Sequence, residues 1–413
     1  MQRGLRAACA PVLAVVALAA GGCGGDGNDG GAPRSGPRTL TIYSSLPLHG
    51  PTRERSRDMV SAIKLALQQS GGRVGPLTMT YVSLDSSTAA KREWTSDRVL
   101  DNARTAVRDL NTIAYIGELH SAATALSLPL TNEGHVLQVS PASTYAGLTR
   151  PGSRRPAEPE RFYPSGQRTF ARVVPADHVQ ASALVAYMKS EGARSLALLA
   201  DRQIYGGGLA AQLQRAAARE GIEVLDQGRI DARRGDLSGP ARNVAETRAD
   251  AFVFAGTTET GAARIFNAVA SAEPRMLLFG PGAVADDVFV AQLSAAARPR
   301  MRVTSPTLPL RLLPPAARTF AGRFRATFGR RPAPQALHAY EAASAILHAI
   351  RAAAPRGNDR EAVRDAFFAI RDRDSVLGRY SIDRFGDTTL STYGANRIRG
   401  SQLVFDTVLE VAG

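Results

Sequence analysis

The residues best suited to hold a small molecule lie between Tyr115 and Thr144, in two hydroxyl-bearing turns. Ser121 comes shortly after Gly117, which closes the β-prone run Thr112–Ile116, and Ala122 and Ala123 keep its surroundings uncrowded. Ala142, Ser143 and Thr144 follow the next such run, His135 to Ser140. Between them Leu126, Leu128, Leu130 and Asn132 carry a helix that Gly134 stops. A hydroxyl beside the free N–H groups of a helix start can hydrogen-bond a carboxylate. The same residue types also serve as ordinary helix caps, and that reading stands beside the first. If the runs are parallel strands, both turns fall at the carboxyl edge of one sheet, where open α/β folds bind ligands.

Other chemistry finds little support. The chain contains no GxSxG elbow, HExxH, CxxC or GxxxxGK[ST] phosphate loop. Its histidines (49, 120, 135, 178, 338 and 348) do not fall at metal-ligand spacings. Only His120, beside Ser121, is a functional candidate, while His338 and His348 read as surface or packing residues. Gly206, Gly207 and Gly208 are better explained by a tight strand-to-helix turn than by a phosphate cradle, and Asp286-Asp287 by a helix start that favours negative charge. No catalytic residue, metal site or cofactor is expected. Of the two cysteines, Cys9 lies in a leader-like segment, so no disulfide is expected in the body.

The elements that would position these turns recur as strand–helix units of about 30 residues, the pattern of a parallel doubly wound sheet. The 413 residues, 44% hydrophobic, suffice for two such bodies. Residues 1–22 read as a secretory signal, with Arg3 and Arg6 ahead of an apolar run too short to span a membrane. Residues 23–38 read as a flexible tether led by Cys23, which follows small residues in the manner of a lipidated first residue of a bacterial lipoprotein. The body divides into a first lobe, 39–173 plus 304–378, and a second, 174–303 plus 379–413. Ser45 to Arg57 reads as a long turn, 150–167 as a proline-rich surface excursion and 303–315 as a linker-like return. The net charge of +14 comes almost wholly from arginines scattered among acids, with no basic stripe. Nucleic-acid binding is not expected.

Taken together, several segments resemble a known family, the periplasmic branched-chain amino-acid-binding proteins of ABC importers. They are Leu48-His49-Gly50-Pro51, the stretch 115–149, Val174 to Gln180, Asp201 to Ala210, Gly280-Pro281, Ala339 to Ala342, Gly378-Arg379-Tyr380 and Phe385-Gly386-Asp387. None is specific alone; their order over some 360 residues carries the resemblance. It implies an α/β fold of two Rossmann-like lobes joined by a three-crossover hinge, a Venus flytrap closing on its ligand. It also implies a small-molecule ligand, an ABC permease as partner and a monomeric protein held outside the cytoplasm by its lipid. A lipoprotein that senses a ligand for a signalling partner is the alternative.

Mapped onto this chain, the resemblance assigns Ser121, Ala142, Ser143 and Thr144 to the ligand's head group. Tyr205, Thr257 and Thr258 would face them from the second lobe. The chain departs from the pattern where relatives carry an ammonium-binding glutamate after the Gly-Pro pair: here that position is Gly282. A buried ammonium without a counter-charge costs several kcal/mol, against about one for an ordinary hydrogen bond. Either Glu118, Asp201 or Glu259 replaces it, or the ligand has no ammonium. Arg53, Arg55 and Arg57 also depart from the pattern; a guanidinium there could bind a carboxylate or phosphate, but such arginines more often face solvent, and that is the expectation.

Overall fold

The computed structural model describes residues 38–151 and 155–411, so the expected signal, Cys23 and nearly all of the tether lie outside the described residues. The first part of the chain forms β1 (Thr39–Leu46), α1 (Arg53–Gln69), β2 (Arg73–Val74), β3 (Leu77–Asp85), α2 (Ser96–Arg108), β4 (Thr112–Gly117), α3 (Ser121–Glu133), β5 (Leu137–Ser140) and β6 (Phe170–Arg172). These strands make one sheet in the order β2-β3-β1-β4-β5-β6, parallel except for the β2–β3 pair.

The chain then crosses to a second sheet through α4 (Asp177–Ser190), β7 (Ser195–Ala200), α5 (Ile204–Glu220), β8 (Glu223–Arg229), α6 (Ser238–Glu246), β9 (Ala251–Ala255), α7 (Ala262–Ala272), β10 (Leu277–Gly280), α8 (Asp287–Gln292) and β11 (Met301–Ser305). It returns to the first lobe for α9 (Pro315–Phe328), α10 (Ala336–Ala352), α11 (Arg360–Phe368) and the small pair β12 (Arg373–Ser375) and β13 (Gly378–Tyr380). A third crossing delivers β14 (Thr392–Arg399) and β15 (Gln402–Glu410) to the second sheet, whose order is β15-β14-β11-β10-β9-β7-β8.

Helices cover both faces of the central strands, and the sequence shows it. Strands such as SLALLA, AFVFA and LLFG are continuous apolar runs, as strands buried on both faces should be. In the first lobe α10 buries twelve of its seventeen residues, and its Ile346 packs with Leu40, Ile42 and Ile63 in one core. At about 25 cal/mol per Å² of apolar surface removed from water, burial of this kind is the main stabilising term.

Several expectations need correction. The Ser45–Arg57 segment is not a long turn: β1 runs to Leu46, and α1 already begins at Arg53. Residues 301–305 form a parallel strand beside β10 rather than the start of a linker. The excursion at 150–167 is not confined to the surface, since Phe162 and Tyr163 pack with Leu128, Tyr145 and Leu148. The expected boundary at 378 also moves. Tyr380 and Ile382 belong to the first core, so the last crossing lies between Leu390, which packs on that core, and β14.

Candidate ligand-binding cleft

The carboxyl ends of both sheets converge on one cavity of about 250 Å³. From the first lobe come the turn after β4 with Leu119, His120 and Ser121, and the turn after β5 with Pro141, Ala142 and Thr144. The second lobe supplies Tyr205 at the start of α5, Thr257 and Glu259 after β9, and Gly282 after β10. Such a cleft lies where an α/β sheet reverses strand order, here between β1 and β4.

Of the residues expected at the site, Ser121, Ala142, Thr144, Tyr205, Thr257 and Glu259 line the cavity together. Ser121 is the first helical residue rather than the cap; its Oγ accepts from the Tyr145 N–H at 3.2 Å and so ties the two turns to each other. The remaining expected residues sit behind the wall. Ser143 is fully buried and bonded to Thr124 Oγ1 (2.6 Å) and, as donor, to the Glu118 carbonyl (3.0 Å). Thr258 donates to Asp286 Oδ2 at 2.8 Å.

Glu118 and Asp201 are likewise displaced as partners for a ligand cation. Glu118 is buried, and accepts from Tyr115 Oη (2.6 Å) and Ser45 Oγ (2.8 Å). Burial raises its carboxyl to about 8, which these hydrogen bonds only partly counter. Asp201 accepts from the Gln203 N–H at 2.9 Å and is pushed up by burial to about 6. It packs under Gly206, where a Cβ would come within 2.2 Å of its Oδ1; close backbone approach therefore requires that glycine.

Glu259 alone of the three candidates reaches the cavity, and it meets a cation there. Arg55, the second residue after the start of α1, extends across the cleft to Glu259 Oε1 (3.5 Å) and Asp286 Oδ2 (4.0 Å). Arg53 and Arg57 face solvent as expected, with side chains 48% exposed, but Arg55 is only 16% exposed. Burial pushes the Glu259 carboxyl up, but Arg55, His120 and Thr257 more than offset it and hold it below the usual range. Burial drives His120 down to about 4, so it is a neutral imidazole at pH 7.

Other wall residues escaped sequence reasoning. Trp94, the sole tryptophan, stacks on His120 with centroids 6.1 Å apart and planes 27° apart. His338 and Tyr393 reach the cavity from α10 and β14. Gln180 on α4 donates to Tyr205 Oη (3.4 Å) and accepts the Gly282 N–H (2.6 Å). Four buried atoms of wall residues have no hydrogen-bond partner among the described residues: Arg55 Nε, His120 Nδ1, His338 Nε2 and Tyr393 Oη. Buried polar atoms are nearly always satisfied, so these four leave bonding capacity in the wall of the cavity. Among the described residues no group of three potential metal ligands occurs, and no helix is long and apolar enough to cross a membrane.

The profile of the family described as periplasmic binding protein matches residues 39–393. No curated protein sequence matches the chain. Among solved structures, the fold is similar to that of the leucine-binding protein LivK of Thermotoga maritima, at 21% identity and a TM-score of 0.77 over 90% of this chain and 99% of that one. The substrate-binding protein LivJ of Streptococcus pneumoniae, in complex with isoleucine, shares 19% identity with a TM-score of 0.73 over 90% and 99% of the two chains. A solute-binding protein of R. palustris in complex with benzoate shares 16% identity with a TM-score of 0.72 over 91% and 98%.

Proposed function

The chain belongs to the periplasmic binding protein family, and from that premise we propose that it captures a small carboxylate outside the cytoplasm and delivers it to an ABC importer. The observation that carries this reading is the cleft itself. Ser121, Ala142 and Thr144 on one lobe face Tyr205 and Thr257 on the other, around unsatisfied polar atoms. The head-group turns offer hydroxyls and the start of α3 to a carboxylate, and the second lobe completes the enclosure. A ligand that contacts both lobes stabilises the arrangement in which they face each other, so hinge closure is how occupancy becomes a shape a permease can read.

The ligand classes in reach are amino acids (branched-chain ones included), related amides and organic acids. Relatives of the same fold hold isoleucine and benzoate, which share only the carboxylate. Lipidation of Cys23, with the glycine-rich segment behind it as a tether, would keep the body near the membrane.

Calorimetric titration of the purified body with a panel of amino acids, amides and organic acids tests the function. Saturable binding of at least one carboxylate is expected; a folded protein that binds none contradicts it. For the anchor, Cys23→Ala is expected to move the protein from the membrane fraction to the soluble one, and retention in the membrane fraction would sink the lipidation.

A further inference from the structure

The charges around the cleft narrow the ligand further, on the premise that the cleft binds a carboxylate. Only two carboxylates line the cavity, Glu93 and Glu259, against four cations: Arg55, Lys91, Arg92 and Arg233. Both acids are already answered by a cation from the opposite lobe. Glu93 of the first lobe lies 3.9 Å from Arg233 of the second, and Glu259 of the second lies 3.5 Å from Arg55 of the first. Asp286, the next acid behind Glu259, is also within 4.0 Å of Arg55 and caps α8 through the Phe289 N–H at 2.8 Å.

The position after Gly280-Pro281 cannot supply a further acid without rearrangement. A Cβ on Gly282 would stand 2.9 Å from Pro306 Cδ and 3.1 Å from Gln180 Oε1, and the Gly282 N–H is itself committed to that Gln180 oxygen.

We infer that the protein supplies its own cation to the cleft: Arg55 occupies the electrostatic place of a ligand ammonium, and the site selects carboxylates that carry no α-ammonium group. Two further observations agree. Arg55 Nε and His120 Nδ1 are buried wall atoms without partners, and a neutral imidazole nitrogen can bond an uncharged oxygen or hydroxyl on the ligand. An ammonium placed there would meet a guanidinium at close range in a poorly solvated site, with no acid of the cavity wall left unpaired to receive it. An oxo, hydroxy or unsubstituted acid meets no such repulsion.

Matched pairs with one carbon skeleton test the inference by calorimetry on the whole mature chain: leucine against 4-methylpentanoate and its 2-oxo derivative, and phenylalanine against 3-phenylpropanoate. The ammonium-free member of the pair that binds is expected to be at least tenfold tighter. Arg55→Met should erase that preference by weakening the ammonium-free acid and strengthening the amino acid. Glu259→Gln, a second variant that leaves Arg55 in place, should tighten the ammonium-free acid severalfold, because the ligand no longer shares the guanidinium with a carboxylate. An amino acid bound as tightly as its ammonium-free partner, or a Glu259→Gln variant that binds that partner more weakly, overturns the inference while leaving carboxylate binding intact. Failure of every carboxylate to bind removes both readings together.

Discussion

Replacing Arg172 by lysine separates charge from geometry at the support of the turn after β5. Arg172 is fully buried at the end of β6. It donates from Nε to Asp387 Oδ1 (2.8 Å), from Nη1 to the carbonyls of Ser143 (2.9 Å) and Tyr145 (3.0 Å), and from Nη2 to Thr149 Oγ1 (2.5 Å). Thr144 is thereby held between two bonded carbonyls. Arg172→Lys keeps the charge, but one compact ammonium cannot span this fork.

Losing two of these buried bonds at about 1 kcal/mol each, with one stranded carbonyl costing about 1–3 more, amounts to roughly 3–5 kcal/mol. With an unfolding entropy of about 2.1 cal/mol/K per residue over ~370 residues, that is a fall in Tm of roughly 4–6 °C. Scanning calorimetry on the variant reads it directly. Arg379→Lys is the comparison, because Arg379 forks onto Asp374 with the two side chains 66% and 78% exposed. Exposed pairs contribute about 0–1 kcal/mol, so its Tm should barely move. Ligand affinity should also weaken in Arg172→Lys as the turn loosens. A fall in Tm no larger than that of Arg379→Lys would refute the argument that the fork, rather than the charge, fixes the turn.

Three further outcomes follow from the same geometry. Thr144→Val removes a hydroxyl from the cavity wall and, on the proposed function, should weaken carboxylate binding at least tenfold, about 1.4 kcal/mol, by calorimetry; unchanged affinity would place the ligand elsewhere. Burial raises Glu118 to about 8, so the folded state keeps a proton that the unfolded chain releases near its ordinary carboxylate value. Its contribution to stability is therefore complete at low pH and declines as pH rises towards 8. Glu118→Gln should flatten the dependence of Tm on pH in that window, and parallel curves for the two proteins would contradict the assignment. Gly386 has φ +90° and a Cβ there would lie 2.2 Å from the Phe170 carbonyl oxygen. Gly386→Ala should cost at least roughly 1–3 kcal/mol in urea unfolding, and an unshifted midpoint would show that the contact yields.

The order of the layers was legible in the sequence because parallel strands buried on both faces leave unbroken apolar runs, as at Ser195–Ala200 and Ala251–Ala255. Strands at or near a sheet edge leave weaker traces. β8, EVLDQGR, alternates exposed and half-buried residues, and β14, TYGANRIR, mixes arginines with small residues; neither is evident from composition. Half of the cleft could be read from local turns, because Ser121 and Thr144 follow consecutive strands. The other half depends on distant residues. Nothing near Arg55 in the chain indicates that it leaves solvent, since its partner Glu259 lies 204 residues away. Trp94 and Tyr393 reach the wall from a loop and from the strand after the last crossing, where no periodicity marks them.

Each lobe is made from separated lengths of chain, and this sets an order of events during synthesis. The face of the first sheet that contains Leu40, Ile42 and Ile116 is covered by α1 and by α10, and α10 comes some 160 positions after β6 ends. At the usual 5–20 residues per second, a growing chain would leave the part of that face under α10 bare for roughly 10–30 s before its cover exists. A holding chaperone is therefore needed most in that interval, and a ribosome stalled anywhere between β6 and α10 should yield a nascent chain that is protease-sensitive in its first 130 folded-domain positions, roughly the span from β1 to β6.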